Sequence, residues 1–173
     1  AVKIEAQAQS SRAPPKDPPK PQPPTVLPSP IQVTRPTGPV LEVATTMRIL
    51  FSSYFNDERE IKEGIEKDIL TASNGDDFIG PIASRINEMT FEELVKHILP
   101  VKRALLILGS LAKLYPDHPE NGFSLSVLMK ICTNSKKPYS KGSVYRTILQ
   151  FAIVAMGHMG NPACEDSIIT VLK

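Results

Sequence analysis

Eleven of the 17 prolines in this chain of 173 residues lie before Val40, most of them in the run from Pro14 to Pro30. Each proline removes a backbone donor and biases the preceding residue toward extended geometry, so neither a helix nor an interior strand forms at that density. Residues 1–39 are therefore expected to be an extended, Pro-rich arm, and residues 40–173 a separate body. In polyproline II geometry about 25 residues of such an arm would reach on the order of 75 Å. That exceeds the width of the body it leaves.

From Val40 onward the apolar residues recur at three- and four-residue intervals. Met47, Leu50, Phe51, Tyr54 and Phe55 mark a helix over residues 45–55, with Asn56 or Asp57 placed to cap the next. Residues 58–70 carry Ile61, Ile65, Ile69 and Leu70 on one face and acids on the other. The turn cluster Ser73, Asn74, Gly75, Asp76, Asp77 follows, and Asp77 is expected to cap a short helix through Ile86, with Pro81 in its first turns. Thr90 and Glu93 have the spacing of a capping box, which predicts a helix over residues 91–99. Pro100 is then expected to break the register before an almost wholly apolar helix over residues 101–115, which should occupy the centre of the body. A loop over residues 115–122 and helices near residues 124–133, 143–156 and 162–172 complete the pattern, the last with Asn161 at its N-cap and Pro162 in its first turn. Only residues 40–46 suggest a two-residue alternation. The fold class is all-α, an irregular helical bundle of about seven or eight helices.

Two cysteines, Cys132 and Cys164, cannot build the disulfide framework of a small secreted fold, and their spacing matches no zinc pattern. The opening residues lack an apolar stretch of signal-peptide length, and no Asn-x-Ser/Thr sequon occurs. The expected location is intracellular, cytoplasm or nucleus, or within a virion. Residues 104–112 form the longest apolar stretch, about half of what a membrane span needs, bracketed by Lys102, Arg103 and Lys113. They read as a buried core helix.

The residues that carry chemistry do not converge on a catalytic pattern. His97, His118 and His158 stand in no recognised arrangement, and pairing Cys132 or Cys164 with one of them as a nucleophile rests on no signal in the chain. His158 and Cys164 are too few to hold a metal. Asp76 and Asp77 are better explained by the positive end of a helix than as an acid–base pair. Neither a dinucleotide fingerprint nor a phosphate-binding loop of Gly-x-x-x-x-Gly-Lys-Ser/Thr type is present. The expectation is a protein that is not an enzyme, with no cofactor, no metal and no small-molecule substrate.

Charge distribution is more informative. In the arm, Lys3, Arg12, Lys16, Lys20 and Arg35 against Glu5 and Asp17 give +3, which leaves −1 for the body of a chain whose total is +2. Bulk charge this small does not coat nucleic acid, so any such role needs a local patch. Between Glu120 and Glu165 there is no acid, whereas Lys130, Lys136, Lys137, Lys141 and Arg146 are all present. With Tyr139 as a stacking group, Lys130, Lys136, Lys137, Lys141 and Arg146 are the expected contact for RNA or an anionic membrane. The same patch is complementary to the acids at Asp57, Glu58, Glu60, Glu63, Glu66, Asp68, Asp76, Asp77, Glu88, Glu92 and Glu93, so a second copy of the chain is the further expected partner.

In the arm, Pro14, Pro15, Pro18, Pro19, Pro21, Pro36 and Pro39 are the expected partner-binding positions. Pro15 to Pro18 and Pro18 to Pro21 have the PxxP spacing read by SH3 or WW modules of host proteins. Pro36-Thr37-Gly38-Pro39 resembles the Pro-Thr-Ala-Pro tetrapeptide by which budding proteins recruit host sorting machinery, with glycine in place of alanine; otherwise it is the hinge from arm to body. A bipolar body permits head-to-tail contacts, and a long arm can cross a neighbour. The reading is a non-catalytic structural or assembly protein that forms a homo-oligomer, with a viral particle component of matrix or nucleocapsid type as its leading context. The alternative is a cellular adaptor, or a fixed subunit of a large complex, with a Pro-rich partner-binding tail.

Overall fold

The computed structural model describes residues 34–52, 58–133 and 144–160, together with residues 162, 164, 165 and 169. Seven α-helices are present among them: α1 (Val43–Leu50), α2 (Glu58–Thr71), α3 (Ile79–Glu88), α4 (Phe91–Lys96), α5 (Ile98–Leu114), α6 (Asn121–Thr133) and α7 (Val144–Met159), with a 3-10 turn at Gly75–Phe78 ahead of α3. The class is all-α. All seven belong to one compact unit, Val33–Lys173.

The apolar spacing decides which face of each helix turns inward. In α3 the buried positions are Ile79, Ile82, Ala83 and Ile86, and in α6 Ser124, Val127, Leu128, Ile131 and Cys132. Both sets step by three and four, which is one stripe of a helix. Helix α5 leaves only a narrow stripe at half-buried or exposed positions, Leu99, Lys102, Leu106, Ser110 and Lys113, and Val101, Ala104, Leu105, Ile107, Leu108 and Leu111 are all at 0% exposure. It forms the axis around which α1, α2, α3, α4 and α7 pack. Its longest seam runs along α7, through Ile148, Ala152, Ala155 and Met156. The two backbones approach closely at Gly109, where a Cβ would lie 2.7 Å from both the Cα and the carbonyl oxygen of Ala155. Glycine is the residue that lets the helices meet there.

Helix ends follow local chemistry, in part as the sequence predicts. Thr90 and Glu93 form the reciprocal capping box of α4: the Thr90 hydroxyl oxygen accepts from Glu93 N–H at 3.3 Å, and Glu93 Oε2 accepts from Thr90 N–H at 2.7 Å. Glu42 caps α1 by accepting from the N–H groups of Ala44 and Thr45, at 3.0 and 2.6 Å. The Thr45 side chain first, and then these two backbone bonds, hold the Glu42 carboxyl below its ordinary value of 4.5.

Three expectations are corrected. The interruption near Pro100 falls instead at His97, between α4 and α5, and Pro100 is buried inside the first turn of α5. A first-turn N–H has no intrahelical acceptor, so proline costs no ladder bond there. Asp77 does not cap α3: it lies within the 3-10 turn, and the N-cap is Phe78, which makes no side-chain cap bond. In keeping with the all-α reading, the possible alternation over residues 40–46 forms no strand, and residues from Val43 onward are helical. The helix expected over residues 45–55 runs instead over Val43–Leu50 and ends at the C-cap Phe51, whose N–H donates to the Met47 carbonyl, while residues 53–57, with Asn56 and Asp57, lie outside the described residues. Of the expected last helix, Pro162, Cys164, Glu165 and Ile169 are helical, and its other positions, with Asn161, lie outside them. No helix among the described residues is long and apolar enough to cross a membrane.

Candidate interaction surfaces

Residues 34–42, which lead into α1, form a strap along the ends of α2 and the 3-10 turn. Gly38 makes a single parallel bridge with Ala72, its N–H donating to the Thr71 carbonyl at 2.9 Å, and Ser73 N–H donates to the Pro39 carbonyl at 3.3 Å. The Asn74 side chain then stands in for a neighbouring strand: Oδ1 accepts from Leu41 N–H at 2.9 Å and Nδ2 donates to the Leu41 carbonyl at 3.0 Å. Asn74 Nδ2 also donates to Asp77 Oδ2 at 3.2 Å. A Cβ on residue 38 would run into the Thr71 carbonyl oxygen. The glycine in Pro36-Thr37-Gly38-Pro39 therefore has a packing reason, and the tetrapeptide lies along the helices with Pro36 half-buried and Pro39 exposed.

The strap passes over Tyr115, whose ring lies 6.0 Å from the Arg35 guanidinium. Tyr115 is only 6% exposed and its hydroxyl has no hydrogen-bond partner. Burial, assisted by the negative charge of Asp76, pushes this phenol above its ordinary value, while Arg35 pulls the other way. Asp77, which accepts from Asn74, thus belongs to the seat of the strap, and Asp76 acts on Tyr115 through its charge.

A second surface lies between α3, α4 and α6. A groove of about 50 Å³ is lined by the apolar Ile86, Met89, Phe91, Leu94, Val127 and Ile131, with Asn87 and Lys130 as its polar members. Phe91 is 47% exposed. The Lys130 ammonium donates to Asn87 Oδ1 at 3.0 Å and to the Asn87 carbonyl at 3.3 Å, tying α6 to the end of α3.

Of the six residues expected to bind nucleic acid or an anionic surface, Lys130 and Arg146 are described, and both are exposed. Lys130 is engaged with Asn87, whereas Arg146 stands in the first turn of α7. Lys136, Lys137, Tyr139 and Lys141 lie outside the described residues, as do Pro14, Pro15, Pro18, Pro19 and Pro21 of the arm. Among the cationic side chains of α5, Lys102 lies 4.6 Å from the centre of the Phe151 ring and fastens the rim of the α5–α7 seam.

The remaining reactive groups are structural in their surroundings. Burial pushes the Cys132 thiol up to about 11, far from the thiolate that nucleophilic attack requires. Cys164 is buried as well. His97 joins α4 to α5, His118 Nδ1 accepts from Glu120 N–H at 3.2 Å, and His158 is exposed in the last turn of α7. Among the described residues, no group of three or more His, Cys, Asp or Glu side chains is gathered as a metal ion would need.

Sequence reasoning missed the strap contacts and the groove. The signal for the first was an asparagine in a turn cluster, which reads as local chemistry although its partner is Leu41. The groove had no signal, because its lining comes from three helices. Comparison of the chain with protein families, with curated proteins and with solved structures finds no match.

Proposed function

We propose that this chain is a non-catalytic assembly protein, in which the helical body is a fixed base and the Pro-rich segment before it fastens one copy to the next. The observation that carries this reading is the seating of residues 38–41. Backbone and asparagine hydrogen bonds hold the end of the Pro-rich region on the body, so a pull on the arm is delivered to the helices and not lost in a slack linker. A Pro-dense segment has few apolar groups with which to offset its own ordering entropy, which favours contacts outside its own chain.

A viral particle component of matrix or nucleocapsid type is the leading context. In that context Arg146, with the lysines of residues 136–141, meets RNA or an anionic membrane surface. The PxxP spacing supports a second reading, a cellular adaptor whose tail is taken by a host protein module.

Light scattering on the full chain and on residues 34–173 tests the proposal. The full chain should form concentration-dependent oligomers, and the shortened chain should associate more weakly with unchanged helicity. Identical monomers for both at high concentration would reject it. A monomer with one tight host-protein ligand would favour the adaptor.

A further inference from the structure

We infer that Asn74 is a deamidation site, and that its conversion to aspartate or isoaspartate is a one-way release of the strap over residues 34–42. The inference goes beyond the assembly reading and does not depend on it.

The chemistry starts from a dipeptide. Asn74 is followed by Gly75, and glycine, with no side chain in the way, lets its backbone nitrogen approach the neighbouring side-chain amide. In that reaction the Gly75 nitrogen gives up its proton and bonds to Asn74 Cγ, the side-chain nitrogen leaves as ammonia, and a succinimide ring closes. Water then opens the ring at either carbonyl. One product carries aspartate at position 74, and the other carries isoaspartate, in which the backbone runs on through the side-chain carbons. Water is the sole co-reactant, and Asn74 is half-buried between exposed Ser73 and half-buried Asp76, with Gly75 buried.

The fold restrains this reaction and couples it to the strap. At ψ 34° the Gly75 nitrogen stands nearly opposite Cβ about the Asn74 Cα–C bond, so it must swing round before it reaches Cγ. That rotation breaks the hydrogen bond from Gly75 N–H to the Ala72 carbonyl, 3.2 Å, and the one from Asp77 N–H to the Asn74 carbonyl, 3.1 Å. The strap braces the same turn, through Leu41 on the Asn74 side chain and the Pro39 carbonyl on Ser73 N–H. Conversion therefore proceeds through molecules in which the strap is open, at a rate set by their share of the population. A second Asn-Gly pair provides the contrast. Asn121 and Gly122 begin α6, which packs on α3 and α7, and Asn121 Nδ2 donates to the Tyr115 and Pro116 carbonyls at 2.8 and 3.0 Å. Turning that pair disrupts the start of a core helix and not a strap.

Neither product fits the seat. Asn74 Nδ2 donates to the Leu41 carbonyl at 3.0 Å and to Asp77 Oδ2 at 3.2 Å. A carboxylate has no N–H to give, and it sets a negative charge against both acceptors. Isoaspartate lengthens the backbone just before Gly75, where space is lacking: a Cβ on Gly75 would lie 2.9 Å from the Ile69 carbonyl oxygen and 3.2 Å from the Tyr115 hydroxyl. The departed ammonia is not replaced, so a strap once released stays released.

The test uses the full chain throughout. Protein is incubated at mildly alkaline pH, and its peptides are followed by tandem mass spectrometry for replacement of the side-chain NH2 by OH and for isoaspartate. Position 74 should convert ahead of position 121. Gly38→Ala, which loosens the strap, should speed conversion at position 74 about tenfold and leave position 121 unchanged. Equal rates at the two positions, or a rate at position 74 that ignores Gly38→Ala, would overturn the inference. The consequence is read separately by hydrogen exchange. Asn74→Asp should lower protection of the Gly38, Leu41 and Ser73 amides about tenfold, with α5 amides and circular dichroism unchanged. Added salt should restore part of that loss in Asn74→Asp and none of the loss in Asn74→Ala, because only the former contains charge repulsion. Strap amides as protected in Asn74→Asp as in the original chain, or unprotected in both, would show that the conversion releases nothing.

Discussion

The α5–α7 seam and the strap over residues 34–42 both depend on a glycine, but different forces hold them. At the seam Gly109 lets two helix backbones touch, and fully buried side chains surround the contact. Each such side chain contributes about 2 kcal/mol by leaving water. The strap has Gly38, three bonded backbone positions and one asparagine, and each hydrogen bond contributes about 1 kcal/mol net. Its side chains include exposed Arg35, Thr37, Pro39 and Val40. The seam is therefore buried core, whereas the strap is a smaller, hydrogen-bonded attachment to the same helices, whose amides are expected to exchange at a lower free energy than those of α5.

The sharpest way to break the comparison is Gly109→Ala. One methyl group forces α5 and α7 apart along their whole seam, and the expected loss is about 3 kcal/mol, or roughly 10 °C in melting temperature. Thermal denaturation followed by circular dichroism measures it, and a change below about 1 kcal/mol would mean that the helices separate at no cost.

Changes in the strap should be smaller and local. Gly38→Ala pushes a methyl group into the Thr71 carbonyl, and Asn74→Ala removes both bonds to Leu41. Each should cost about 1–2 kcal/mol. Hydrogen exchange should show Gly38, Leu41 and Ser73 amides losing protection, with amides of α5 unchanged. Equal loss of protection in both regions would show that strap and core form a single cooperative unit.

Tyr115→Phe should have the smallest effect, and its sign is informative. The hydroxyl is buried without a partner, so its removal should be neutral or stabilise by up to about 1 kcal/mol. Because the folded protein holds this phenol above its ordinary value of 10.0, its contribution is complete below pH 10 and is lost as pH rises through the folded-state value. The variant should therefore show a flatter alkaline limb in a plot of stability against pH. A steeper limb would contradict the burial of this group.

The capping box at Thr90 and Glu93, the buried Ile65 and Ile69 of α2 and the central place of the apolar α5 were legible because each depends on residues close together in the chain. Local spacing also located the proline density and the stretch without acids. Positions whose partners are remote in the chain were not legible. Asn74 read as a turn residue because nothing nearby points to Leu41, and Gly38 read as a hinge because the Thr71 carbonyl that excludes a side chain there is distant in sequence. Pro100 read as a break because proline usually ends a helix, whereas the chain turns earlier, at His97, and leaves Pro100 where its missing N–H does no harm.

The sequence by itself determined an all-α body with a Pro-rich approach, since helix periodicity and the loss of backbone donors are properties of neighbouring residues. The tertiary structure decided which ends are held together and where a groove opens. Those features arise from the packing of separate helices, and the seam at Gly109 and the walls around Phe91 exist only once α3, α4, α5, α6 and α7 have met.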